Sequence, residues 1–274
     1  EISLGLVGSE MCIRDSSVCN QKGGVGKTTT SVNLSSALAK NKKKILLVDL
    51  DPQGNATMGS GINKNKLSST IADLLLSEVE SFRDILLHSD EGYDLLPANQ
   101  TLTYAELKLL EEKERENTLK RKLKDCLGIY DFVIIDCPPS LNILTVNALS
   151  FSNKVIIPAQ CEYYALEGIA SLVDTIEKIT NSVNSKLQIG GILRTMYDPR
   201  NNLARDVSDA LKKHFGKLVY KTVIPRNINL AEAPSHGVSV ISYNIGCKGA
   251  LAYIGLAGEI LSLIHISEPT RPNE

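Results

Sequence analysis

The sequence predicts an α/β fold with a mostly parallel, twisted central sheet and helices on both faces, in a single domain. Three observations predict it. Short runs of Val, Ile and Leu recur without clean alternation, as expected of strands buried on both faces. Between them lie stretches with apolar residues at helical spacing. A glycine-rich run, Lys22 to Thr28, falls at a junction between strand and helix. Regular alternation of strand and helix implies parallel pairing with helical crossovers. The 274 residues are 43% hydrophobic, enough for a sizeable core. No internal repeat or low-complexity linker divides the chain.

Ahead of the glycine run, Asp15, Ser16 and Ser17 stand where a central strand would carry apolar residues, and only Val18 and Cys19 fit. A poorly supported first strand is the expectation. "TTTSVNLSSALAK" (28–40) reads as the helix after the loop. "KILLVDL" (44–50), "DFVIID" (131–136), "KVIIPAQ" (154–160), "LQIGGILRT" (187–195) and "KLVYKTVIP" (217–225) read as buried strands. Leu166, Ile169, Val173, Ile176 and Val183 mark one amphipathic helix. Leu203, Val207, Ala210, Leu211 and Phe215 mark another. "EEKERENTLKRKLKD" (111–125) reads as a solvated helix, acidic first and basic last, in keeping with the helix dipole.

The two ends break this pattern. Residues 1–16 lack the basic start and cleavage site of a signal peptide, and residues 262–274 add two prolines and no helical period. Both resemble translated sequencing-adapter read-through, so 1–16 and 262–274 read as foreign and 17–261 as the domain. Over the whole chain, 30 Lys+Arg against 31 Asp+Glu excludes a uniformly basic coat but allows a local basic face. Six scattered cysteines with no C-x-x-C pair read as reduced cytosolic thiols rather than a disulfide framework or zinc site. No apolar run approaches the ~20 residues of a membrane span.

"KGGVGKT" followed by a helical pattern has the context of a phosphate loop. Gly23, Gly24, Val25 and Gly26 would let backbone N–H groups close around a β-phosphate, and the helix end at Lys27, Thr28 and Thr29 would add positive potential. Lys27 would bridge the β- and γ-phosphates, and Thr28 would place its hydroxyl on Mg2+. Asp49 and Asp51, two apart at a strand end, can point toward the loop together. Asp136 closes another strand and would face Mg2+ through a water, with Cys137, Pro138 and Pro139 stiffening the segment beyond it. The loop leaves one lysine unexplained, because Lys27 alone suffices for a phosphate and Lys22 stands five residues before it.

"NQKGGVGKTTT", "LLVDLDPQGNAT", "IIDCPPSL", "CEYYALEG", "TMYD" and "TVIPRNINLAEAPSHG" together resemble the ParA/Soj family of chromosome- and plasmid-partition ATPases over almost all of residues 18–261. The resemblance implies a P-loop NTPase with a deviant Walker A motif, binding ATP and Mg2+. It makes Lys22 the signature lysine, which reaches across a face-to-face homodimer to the partner's phosphates. A crossing cation there offsets the repulsion between two bound ATP molecules. Asp51 matches the water-orienting carboxylate, and Asp49 the one nearer the metal shell. Pro225 and Asn227 match adenine contacts. Where a Ras-type GTPase carries Asn-Lys-x-Asp, this chain reads Thr195-Met196-Tyr197-Asp198, which favours ATP.

The family binds DNA without sequence preference as the ATP dimer. From Lys186 to Arg226 there are nine Lys/Arg against three Asp, and Arg200 matches a DNA-contacting arginine. A basic position just after "IPRN" in many relatives is Asn229 here, and Arg226 could serve instead. The implied partner is a ParB/Spo0J-like centromere-binding protein that speeds a slow hydrolysis. The implied location is the cytoplasm, on the nucleoid when ATP is bound, with no stable membrane anchor. Two alternatives use the same loop. A MinD-like membrane-cycling ATPase would need a basic amphipathic C-terminal helix, which "GEILSLIHISEPTRPNE" is not. A metal-cluster carrier or amide-forming synthetase is the other, and a carrier would need paired cysteines across the dimer, whereas Cys137 and Cys161 are single.

Overall fold

The computed structural model describes residues 14–267, so most of the stretches expected to be foreign, 1–16 and 262–274, lies outside the described residues. An eight-stranded sheet runs through the molecule. Strand β1 (Arg14–Val18) leads through the glycine loop into α1 (Lys27–Lys40), followed by β2 (Ile45–Asp49), α2 (Asn55–Gly59) and α3 (Ile71–Leu75). A short pair of strands, β3 (Leu87–His88) and β4 (Asp94–Leu96), precedes α4 (Leu102–Leu109) and α5 (Thr118–Lys122). Then come β5 (Phe132–Asp136), α6 (Ile143–Phe151), β6 (Lys154–Gln160), α7 (Ala165–Ser182), β7 (Gln188–Tyr197) and α8 (Asn202–Phe215). The chain continues through β8 (Val219–Pro225), α9 (Ile228–Glu232) and α10 (Val240–Tyr243) to α11 (Lys248–Ser267).

The spatial order is β3-β4-β2-β5-β1-β6-β7-β8, parallel throughout except for the β3–β4 hairpin. Alternate side chains of each strand enter different cores. Leu46, Val48, Val133, Ile135, Val155 and Ile157 join one cluster with residues of α3 to α8. Ile45, Leu47, Phe132, Ile134 and Ile156 join the other, against α1 and α11. Two buried faces per strand explain the unbroken apolar runs.

Strand β1 takes in residues ahead of residue 17, and this polar first strand forms at the centre of the sheet. Ser16 pairs with Ile134 on one side and Lys154 on the other. Ser17 spends its hydroxyl on Ser152 (2.6 Å). Asp15 is buried with no hydrogen-bond partner for Oδ1. Helix α11 likewise continues past Leu261 to Ser267.

The expected continuous helix over 111–125 is corrected by the structure. The segment breaks into a turn, a 3-10 turn at Arg115–Asn117, α5 and a second 3-10 turn at Lys124–Cys126. Glu114 takes a left-handed φ of 54°, which ends any continuous helix. Leu119, Leu123 and Cys126 are fully buried, so the segment is anchored to the core and only partly solvated. The β3–β4 pair was not legible, being too short for a period.

Candidate nucleotide site

The strand order reverses around β1, which places the loop after β1 beside the C-terminal ends of β2, β5 and β6. Open parallel sheets bind ligands at such a point. Asn20 anchors the turn out of β1: Nδ2 donates to the Pro158 carbonyl (2.7 Å) and Oδ1 accepts from Lys22 N–H (3.0 Å). Gly24 and Gly26 take φ of 74° and 89°, values that glycine alone adopts freely. Gly26 is the residue that opens α1, and the first turn of that helix holds no acidic side chain. The positive end of a 14-residue helix is not neutralised from within its own first turn, which suits it to an anion. Lys27 is buried, and its ammonium donates to the Lys22 carbonyl (3.1 Å). Thr29 lies in the same turn.

Three carboxylates stand at the adjoining strand ends. Asp49 and Asp136 are paired in register on β2 and β5. Asp136 accepts from Thr28 Oγ1 (2.7 Å) and from Ser31 Oγ (2.9 Å), which ties it to both ends of the first turn of α1. Asp49 accepts from the Thr57 N–H (2.8 Å), the Thr57 hydroxyl (2.7 Å) and the Asp51 N–H (3.2 Å). Asp51, also buried, accepts from Gln53 N–H (2.9 Å), which fixes the turn after β2. Burial holds the Asp49 and Asp136 carboxyls above the usual carboxylate range. For Asp136 the neighbouring Asp49 adds to the effect, while Thr28 and Ser31 work against it.

That electrostatic state suits a cation. Neighbouring buried carboxyls suppress each other's ionisation, and a divalent ion would let both ionise. Among the described residues no group of three or more His, Cys, Asp or Glu side chains could hold a metal alone. The donors fit Mg2+, which keeps several waters and is held by a few protein oxygens together with substrate phosphates. Thr28 and Asp136 supply such oxygens. Cys137 is a buried core residue whose thiol is pushed well above its ordinary pKa by Cys19 and by burial.

Lys22 does not point into empty solvent. Its ammonium is ion-paired with Glu162, in the turn between β6 and α7. Tyr163 and Tyr164 come next, more than 70% exposed and packed edge to face. At the other side, Pro225 ends β8 level with Tyr197 of β7. The Asn227 side chain caps α9 by accepting from Asn229 N–H (3.0 Å), which leaves its NH2 as the end able to meet a base. Arg200 is exposed and forks onto Asp198, with Nε–Oδ1 at 3.0 Å and Nη2–Oδ2 at 2.8 Å. Arg200, with a smaller share from Arg226, holds the Asp198 carboxyl down to about 2. The two arginines thus border one carboxylate. Asn229 donates to Glu232 (3.3 Å) and accepts from Asn244 (3.4 Å), so the position just after "IPRN" holds a neutral polar network.

Sequence reasoning missed four participants. Ser31 lies one helical turn past Lys27, a spacing that points it at the same strand end. Thr57 stands within "LLVDLDPQGNAT", a run whose aspartates alone carry an obvious chemical role. Glu162 follows β6 and Thr195 lies on β7, both distant in sequence, and only the sheet order brings them to the loop. Thr195 Oγ1 donates to the Val25 carbonyl (2.8 Å).

A family described as an AAA domain matches residues 14–189. The chain is 49% identical to the sporulation initiation inhibitor protein Soj of Bacillus subtilis over 243 residues, covering 89% of this chain and 96% of that one. It is 43% identical to the chromosome partitioning protein ParA of Caulobacter vibrioides over 252 residues, 91% of this chain and 94% of that one. Among solved structures, cobyrinic acid a,c-diamide synthase of Mycobacterium smegmatis, with ADP and magnesium bound, superimposes with a TM-score of 0.82 at 38% identity, covering 96% and 99% of the two chains.

Proposed function

The chain belongs to the ParA/Soj family of P-loop partition ATPases, and from that premise we propose that it pairs face to face on ATP and binds DNA nonspecifically as the pair. Hydrolysis then resets it. The observation that carries the reading is the convergence of the phosphate loop, Thr28, Asp49, Asp51 and Asp136 at one end of the sheet. Lys27 and the loop amides hold the β- and γ-phosphates. Bound Mg2+ supplies charge neutralisation between those phosphates. Asp136 orients the Thr28 hydroxyl, and Asp49 fixes the turn that presents Asp51, whose carboxylate orients the attacking water. Pro225 and Asn227 border the adenine.

Lys22 serves the facing copy, and the Glu162 pair must open before it can. Hydrolysis by the unaided chain is slow, because no lysine from a facing copy lies over its phosphates. A ParB/Spo0J-like partner completes the site at the paired face. Arg200, Arg226 and the neighbouring lysines meet DNA phosphates in the cytoplasm, on the nucleoid.

The test is DNA binding by the full chain with ATP or ADP, titrated at several salt concentrations. With ATP, the logarithm of affinity should fall steeply with the logarithm of salt, by roughly 0.9 per phosphate contact. Little binding should occur with ADP. Equal affinity in the two nucleotides, or none with ATP at low salt, would end the DNA reading. A second reading draws on the 38% identity to the diamide synthase. An amide-forming synthetase would consume ATP in proportion to a carboxylic acid and a nitrogen donor, with DNA irrelevant.

A further inference from the structure

Thr195 lies at the end of β7, in register with Gln160 of β6, and is buried. Its hydroxyl donates to the Val25 carbonyl at 2.8 Å, 170 residues away in sequence. Its methyl group stands 3.8 Å from where a Cβ on Gly26 would lie. Met196, the next residue, takes a left-handed φ of 49°. A residue with a side chain holds that conformation only where its surroundings fix it. The end of β7 is thus held in an unusual shape against the phosphate loop.

A planar trans peptide points its carbonyl and its N–H in opposite directions. Fixing the Val25 carbonyl toward β7 therefore fixes the Gly26 N–H away from it. Glycine at position 26 does not by itself impose this orientation. Gly26, at φ 89°, occupies a region that glycine leaves as readily as it enters, so the glycine side of the 25–26 peptide does not resist a rotation. Rotation would turn a carbonyl oxygen, instead of an amide proton, toward a bound phosphate. The glycines that make the loop possible also make it ambiguous.

We infer that Thr195 is a positioning residue for the nucleotide's β-phosphate, acting through the Val25–Gly26 peptide. It touches no substrate itself. The inference rests on the nucleotide-site reading above and adds a determinant outside the loop's own sequence.

The test compares Thr195→Val, which keeps the shape and removes the hydroxyl, with Thr195→Ser, which keeps the hydroxyl and removes the methyl. MgADP affinity is measured by calorimetry, and the melting temperature is measured without nucleotide. The expected result is about a tenfold loss of MgADP affinity in T195V, the size of one charge-assisted hydrogen bond. T195S should stay within about threefold of the unaltered chain, and the nucleotide-free melting temperature shows whether T195V is folded at the temperature of the titration. A loss below about threefold in T195V overturns the inference. So does an equal loss in T195S, which would assign the effect to packing. If T195V does not fold, Thr195→Ala against T195S makes the same hydroxyl comparison. An unaltered chain that fails to bind MgADP removes the nucleotide-site reading as well. One that binds it, with T195V unchanged, removes only the role given to Thr195.

Discussion

The carboxyl of Asp15 is enclosed in the centre of the sheet, and Oδ1 has no donor. Burial raises its pKa to about 7 from 3.8, and burial together with Asp15 pushes the Cys126 thiol up to about 12. The folded state binds the Asp15 proton more tightly than the unfolded chain, so this group's contribution to stability is greatest at low pH and is lost as pH rises from about 4 to about 7. Replacing Asp15 by Val should therefore stabilise more at pH 8 than at pH 5. The expected gain at pH 8 is about 2 kcal/mol, or roughly 4–8 °C in melting temperature. Thermal melts of both chains across that range check it, and a gain independent of pH would mean the carboxyl is not the cause. An aspartate ill-suited to a central strand was legible in the sequence, and the packing agrees. That its neighbours would still enclose it was not.

At the scale of elements, β7 and β8 show a fit that one glycine makes possible. A Cβ on Gly191 would lie 2.4 Å from the Tyr220 ring, and Tyr220 is buried. The ring fills the place of the missing side chain, so "GG" in β7 is a packing device and not a turn. Gly191→Ala should cost about 1–3 kcal/mol through a forced shift of Tyr220. Chemical denaturation measures it, and an unchanged midpoint would mean the ring yields freely. The strands themselves were legible because burial on two faces writes a continuous apolar run. The loop and the Asp49, Asp51 and Asp136 positions were legible because each sits at a strand end with a distinctive local sequence. Ser31, Thr57, Glu162 and Thr195 were not, since their roles come from strand order and helix placement. The 111–125 segment misled because charge suggested a solvated helix, while Leu119, Leu123 and Cys126 belong to the core.

For the molecule as a whole, the Lys22–Glu162 pair is the contact that the proposed pairing would have to break. The single chain satisfies the lysine internally, and the pairing proposed above would have to replace that contact with phosphate oxygens across the interface. Lys22→Ala should keep ATP binding and lose ATP-driven pairing. Glu162→Gln should lower the ATP concentration needed for pairing by at most about fivefold, because an exposed ion pair is worth no more than about 1 kcal/mol. Light scattering over an ATP titration reads both. An intact K22A pair would show that the lysine does not cross.

The central position of β1 has a consequence for synthesis. This strand leaves the ribosome before every other described strand, yet its neighbours are residues 132–136 and 154–156. At about 5–20 residues per second, it waits on the order of ten seconds with both edges open. An exposed apolar strand in that interval invites association with other nascent chains. The aspartate and serines that weaken β1 in the finished sheet make it a poorer template while it waits.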